Sequence, residues 1–210
     1  MLSTQSQFFD QATSATQKQI TFHQVVTIVW ICAEAAIAIV AAIRAHSVAL
    51  LGFGADSGIE LLSALVVFLR FKQTAHLNEQ KAVRITGVLL FALAAFILLG
   101  SILALTNQRF RPEPSYLGIA LLIAAALFMP WLADQNRRLA ARTNSGSLKA
   151  DAAQSSMCAY MAWIALGGLT LNALFHFSWA DPAASLLLLP IIIREGWQAV
   201  QGRSCKDCSA

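Results

Sequence analysis

Asp56 and Glu60 stand four residues apart inside the apolar run LLGFGADSGIELLSALVVFLRF. In a helix that spacing turns through about 40°, so both carboxylates leave one face, one turn apart. A charge held in hydrocarbon costs at least about 2.5–3.5 kcal/mol. A helix that keeps two of them either turns that face to water or protein, or uses the acids to bind something positive. Two converging carboxylates can hold a single cation. The structural alternative is a carboxylate pair that shares a proton.

A second set of donors occurs about a hundred residues later, in LKADAAQSSMCAY. Asp151, Gln154, Ser155 and Cys158 fall at i, i+3, i+4 and i+7, which puts a polar stripe on one helical face. Depth follows from counting: Glu60 lies ten residues before Arg70, and Cys158 nine after Lys149. If Arg70 and Lys149 mark the same membrane surface, Glu60 and Cys158 reach one level from antiparallel helices. Two carboxylates, an amide oxygen and a thiolate then meet near mid-membrane as a divalent transition-metal site. Oxygen alone would suit magnesium or calcium, whereas sulfur shifts preference to zinc, cadmium or other softer ions. Cys158 also reads as a small buried apolar residue, and Gln154 as an interhelical hydrogen-bonding group.

The elements that must carry these residues are apolar helices. Of 210 residues, 57% are hydrophobic and 12% charged, against roughly 25% charged in a soluble domain. Six apolar blocks are long enough to approach the roughly 20 residues a bilayer crossing requires: 22–43, 48–71, 85–105, 116–132, 151–175 and 181–200. The last contains Pro190, which should kink it. The expected architecture is all-α, a six-helix membrane bundle over residues 22–200. A polar tail, 1–21, precedes it and a short tail, 201–210, follows. The first tail holds one basic residue and lacks the pattern of a signal peptide.

The 15 Lys and Arg residues fix the expected orientation. With six spans, twelve share a side and only Arg44, Arg109 and Arg111 face the other. The positive-inside rule then places both termini in the cytoplasm, as a multi-pass protein of the cell (inner) membrane. The net charge of +4 follows from that topology, and no interleaved basic and aromatic patch points to nucleic acid. Trp131, Trp179 and Trp197 near span ends read as interfacial anchors. The short connections RAHS, TNQRFRPEPS and HFSWA lie outside, and longer polar ones, 72–84 and 134–149, lie inside.

HSVALLGFGADSGIELLS resembles the second span of the cation diffusion facilitators, and LKADAAQSSMCAY resembles their fifth. WADPAASLLLLPIIIREGWQA is similar to their sixth. The resemblance implies export of divalent metal, zinc-like with cadmium or cobalt accepted, driven by inward proton movement, with Asp56 and Glu60 as ligands. It also implies a homodimer. Two departures stand out. The family usually has His-xxx-Asp where this chain has Gln154 and Cys158, and usually a cytoplasmic domain after the sixth span, so the chain reads as a short member. A transported metal is cargo, and no cofactor is expected.

Other residues are weaker candidates. Glu34, midway along the first span, can line the cavity, relay a proton or pair with another helix. Cys205 and Cys208 form C-x-x-C, a spacing that captures a soft metal with outside help. His46 and His176 lie near the outer mouth, where they either pass metal outward or are simply solvated. Asp181 before Pro182 reads as the cap of the sixth helix. Gly54 and Gly58 form a small-xxx-small pair that admits a neighbouring backbone. Two other functions are weighed: an intramembrane enzyme, for which no nucleophile motif appears, and a non-transporting metal sensor or interaction subunit.

Overall fold

In the computed structural model, residues 25–71, 79–107, 111–143 and 146–201 are described, with side chains given except at 63–71, 79–83, 143 and 146–151. They form six helices and, among the described residues, no strand: α1 (Val25–Ala45), α2 (Val48–Phe71), α3 (Glu79–Thr106), α4 (Tyr116–Thr143), α5 (Gly146–Phe175) and α6 (Ala180–Val200). Five contain spans long and apolar enough to cross a membrane. The sixth, α2, has 24 residues, about 36 Å at 1.5 Å per residue against a core of about 30 Å. The protein is an all-α, multi-pass membrane protein.

The packing inverts that of a soluble domain. Ala38, Ala49, Ala125, Ala162 and Ala165 are at most 1% exposed, while Ile43, Leu127, Leu174 and Leu187 are 64% or more exposed. Small residues bring helices together where lipid supplies no hydrophobic drive between them, and large apolar side chains face lipid. A Cβ on Gly54 would come within 2.7 Å of Ala38 Cβ, so α1 and α2 are in near-backbone contact there. Gly58 makes no such contact among the described residues, where a Cβ would meet nothing within 4 Å. The expected two-glycine stripe is therefore a single-glycine contact. Gly168 fills the same role between α5 and α6, where a Cβ would lie 2.5 Å from Ala184 Cβ.

Two helices outrun their membrane segments. The apolar block expected to end at 132 continues as α4 to Thr143, and α3 starts at Glu79, within the expected 72–84 loop. Hydropathy measures the hydrocarbon crossing, not the helix. Residues 131–142 contain neither Gly nor Pro and are rich in strong helix formers. Asp134 and Arg138 pair at 2.8 Å across one turn. Arg137 donates to Ser156 Oγ at 2.7 Å, tying the extension to α5. Helices α4 and α6 also pass through Pro130 and Pro190 without ending, which membrane helices tolerate when neighbours satisfy the freed carbonyl.

At the end bearing the short loops, Ser47 caps α2, its Oγ accepting from Leu50 N at 3.1 Å. The expectation that Asp181 caps its own helix is corrected here. The N-cap of α6 is Trp179, without a side-chain cap bond, and Asp181 lies buried in the first turn. Its carboxylate accepts from Ser47 Oγ and from the backbone N–H of Val48 at 3.0 Å and Ala49 at 3.4 Å. It thus holds the positive end of α2 and pins α2 to α6. Asp181→Ala should lower folding stability by about 2–3 kcal/mol, because buried donors lose their acceptor. Asp181→Asn, which keeps one acceptor oxygen, should recover part of the loss. Thermal unfolding in detergent measures both, and an Ala variant that melts with the parent refutes the interhelical cap.

Candidate metal centre

α2 packs against α5, α3 and α6, and α5 packs against α4 and α6. The i, i+4 pair on α2 faces the i, i+4 pair on α5. One ligand atom each from Asp56, Glu60 and Cys158 lie within 4.8 Å of one another, close enough to share an ion. The Cys158 thiol donates to Glu60, with Sγ 3.2 Å from Oε1 and 3.5 Å from Oε2. Gln154 joins them through its amide nitrogen, which donates to Glu60 Oε1. It therefore steadies Glu60 in this arrangement, and turning the amide over would present its oxygen.

Asp56 is 1% exposed, and among the described residues its Oδ1 has no hydrogen-bond partner. Buried polar atoms are nearly always paired, and a cation held by these three residues would give this oxygen a partner. Glu34 contrasts with it. Also 1% exposed, it accepts from Trp30 Nε1 and from Ser57 Oγ at 2.9 Å. Trp30 lies one turn earlier on α1, and Ser57 follows Asp56 on α2. Glu34 is thus buried and held by protein donors from α1 and α2.

A sequence model of the cation efflux transmembrane domain matches residues 79–201, more than half of the chain. The chain belongs to the cation efflux family. This makes it a membrane transporter of metal cations, and the donor cluster lies inside its bundle. No curated protein matches the chain significantly. The matched stretch includes Gln154 and Cys158 of the cluster, while Asp56 and Glu60 lie before it. In this cation efflux protein, two carboxylates would neutralise a divalent charge and the sulfur would add a soft donor.

The remaining candidates lie elsewhere. Asp151 is on α5 seven residues before Cys158, about 10 Å along the axis, and its side chain is outside those described. Cys205 and Cys208 are also outside the described residues, and Cys32 is exposed. His46 and His176 have positive φ, 52° and 56°, immediately after α1 and α5. That is the left-handed position that ends helices, so each histidine has a local structural role at a helix end.

Three contributors are not legible as such in the sequence. Ser57, which positions Glu34, looks like one more small residue in an apolar helix. Asn172 donates to Pro112 O at 3.1 Å and anchors the α3–α4 loop to α5. That contact spans 60 residues of sequence, and no local pattern announces it. The third, Glu195, looks like a charge near a helix end and nothing more. Its signal is the spacing of Ile192, Glu195, Gly196 and Ala199, an i, i+3, i+4, i+7 stripe whose other members are buried.

Proposed function

We propose that this cation efflux protein exports divalent transition metal, chiefly zinc with cadmium and cobalt accepted, in exchange for protons. The observation that carries the reading is the buried, unpaired Asp56 Oδ1 within one ion's reach of Glu60 and Cys158. Metal ligands bind deprotonated, so metal entry releases protons and protonation expels metal. Asp56, Glu60 and Cys158 are the ligands in this reading, with Gln154 either completing the set or holding Glu60. The basic bias of twelve residues against three supports a topology with both termini in the cytoplasm of a cell membrane, and membership of an efflux family supports outward transport. Residues 22–200 are the transport unit, and the tail carrying Cys205 and Cys208 captures metal transiently on the cytoplasmic side.

Purified protein in liposomes tests this directly. With a metal-sensitive dye and a pH-sensitive dye enclosed, zinc should enter only vesicles containing the protein, with protons leaving as it does. Collapsing an imposed pH gradient should slow the flux. A sensor, an interaction subunit or an enzyme gives no zinc flux above empty vesicles, and that result would overturn the transport reading.

A further inference from the structure

We propose that Glu195 on α6 is an additional cation-binding carboxylate, bringing an acidic oxygen from a third helix to the Asp56–Glu60–Cys158 cluster. The assignment rests on the metal-transport reading above and extends it to a residue outside the α2 and α5 pairs. Among the described residues, two buried side-chain oxygens lack a hydrogen-bond partner: Asp56 Oδ1 and Glu195 Oε1. Glu195 is not one of the three residues whose ligand atoms lie within 4.8 Å of one another; it stands beside them on α6. Glu195 acts electrostatically on both Asp56 and Glu60.

Register explains how an α6 residue reaches the pair. α2 and α6 run in the same direction and pack together. Asp181 is bonded to Val48 at their common end. Glu60 is twelve residues on from Val48, and Glu195 fourteen on from Asp181. At 1.5 Å per residue the two carboxylates lie at levels about 3 Å apart. Glu195 is half-buried on α6 between buried Ile192 and Ala199, while the adjacent Gly196 packs against Leu90 and Phe91 of α3.

The neighbouring cation does not account for it. Arg194 attracts Glu195, but consecutive helical residues project about 100° apart. Arg194 is exposed and Glu195 Oε1 remains unpartnered. Asp56, Glu60 and Glu195 repel one another, and a divalent cation at the cluster would relieve that repulsion. Glu195 lies nearer the basic end of the bundle than Glu60, on the side from which the proposed export would load.

Zinc binding to the full-length protein in detergent, by equilibrium dialysis, and the KM of zinc flux in liposomes test the assignment together. Glu195→Gln keeps shape and removes charge. It should raise both the Kd and the KM for zinc about 10–100-fold, with a smaller fall in flux at saturating zinc. Glu195→Asp should restore most of the affinity. Unchanged Kd and KM in Glu195→Gln overturn the assignment. So does an equal loss in both variants that spares affinity and lowers only saturating flux. Asp56→Ala run alongside separates the two levels. If it loses zinc binding while Glu195→Gln keeps it, only Glu195 is wrongly assigned. If Asp56→Ala binds and transports zinc like the parent, the cluster reading falls and the Glu195 assignment with it.

Discussion

Asp56→Ala and Glu60→Ala will each reduce zinc flux by about 100-fold or more while the protein remains folded and inserted. Loss of a residue that merely supports a metal ligand already costs about 10–100-fold in affinity, and these carboxylates are proposed as ligands themselves. Either truncation removes one of the two α2 carboxylates that balance a divalent charge in a setting of low polarity, where charge interactions are poorly screened. The stability readout separates this from structural damage. Among the described residues Asp56 Oδ1 has no hydrogen-bond partner, and the carboxyl's hydrogen bond is to its fellow acid Glu60, so Asp56→Ala removes a poorly compensated buried group. Its melting temperature should equal or exceed the parent's. Asp181 is equally buried, but its carboxylate accepts three donors, and Asp181→Ala should melt lower. Near-parental zinc, cadmium and cobalt flux in both Asp56→Ala and Glu60→Ala would remove the acid pair from the mechanism.

That contrast between two buried aspartates marks where the sequence can and cannot be read. Asp56 is legible because its partner is local: the acid four residues away must share its face of any helix. The count inward from Arg70 and Lys149 likewise brings Glu60 to the level of Cys158, and their atoms lie 3.2 Å apart. Asp181 misleads because local grammar, an acid before Pro182 at a helix start, describes an N-cap. Its actual donors are more than 130 residues earlier. Nothing in the periodicity of either helix encodes that pairing, which depends on how α2 and α6 are brought side by side. The α4 extension is hidden for another reason. Apolarity marks where a helix is in lipid, and residues 133–143 continue the helix in polar composition. Gly58 shows the converse limit, since a small residue permits close approach but does not require a neighbour.

Cys158→Ser should lower the cadmium-to-zinc flux ratio about tenfold, equivalent to about 1.4 kcal/mol of discrimination. The Cys158 thiol is the soft donor of the cluster, and thiolate is the ligand type that most favours cadmium over zinc. Serine keeps a hydroxyl able to donate to Glu60, so the hydrogen bond the thiol now makes is retained and the change isolates the sulfur. Gln154→His with Cys158→Asp should shift the ratio further towards zinc. Imidazole and carboxylate suit a borderline ion, and the first of these changes exchanges an amide that now donates to Glu60 for a ring nitrogen able to ligate. Both ratios are read in liposomes at fixed pH against the parent. Cys158 is 3% exposed and packs with Met129, Leu132 and Ala159, so it has an apolar setting as well as a polar neighbour. If packing is its whole role, Cys158→Ser will carry every metal at the parental ratio. An unchanged ratio in both variants would remove Gln154 and Cys158 from the ligand set and leave the ion to Asp56, Glu60 and whatever oxygen completes them, for which Glu195 is the nearest test.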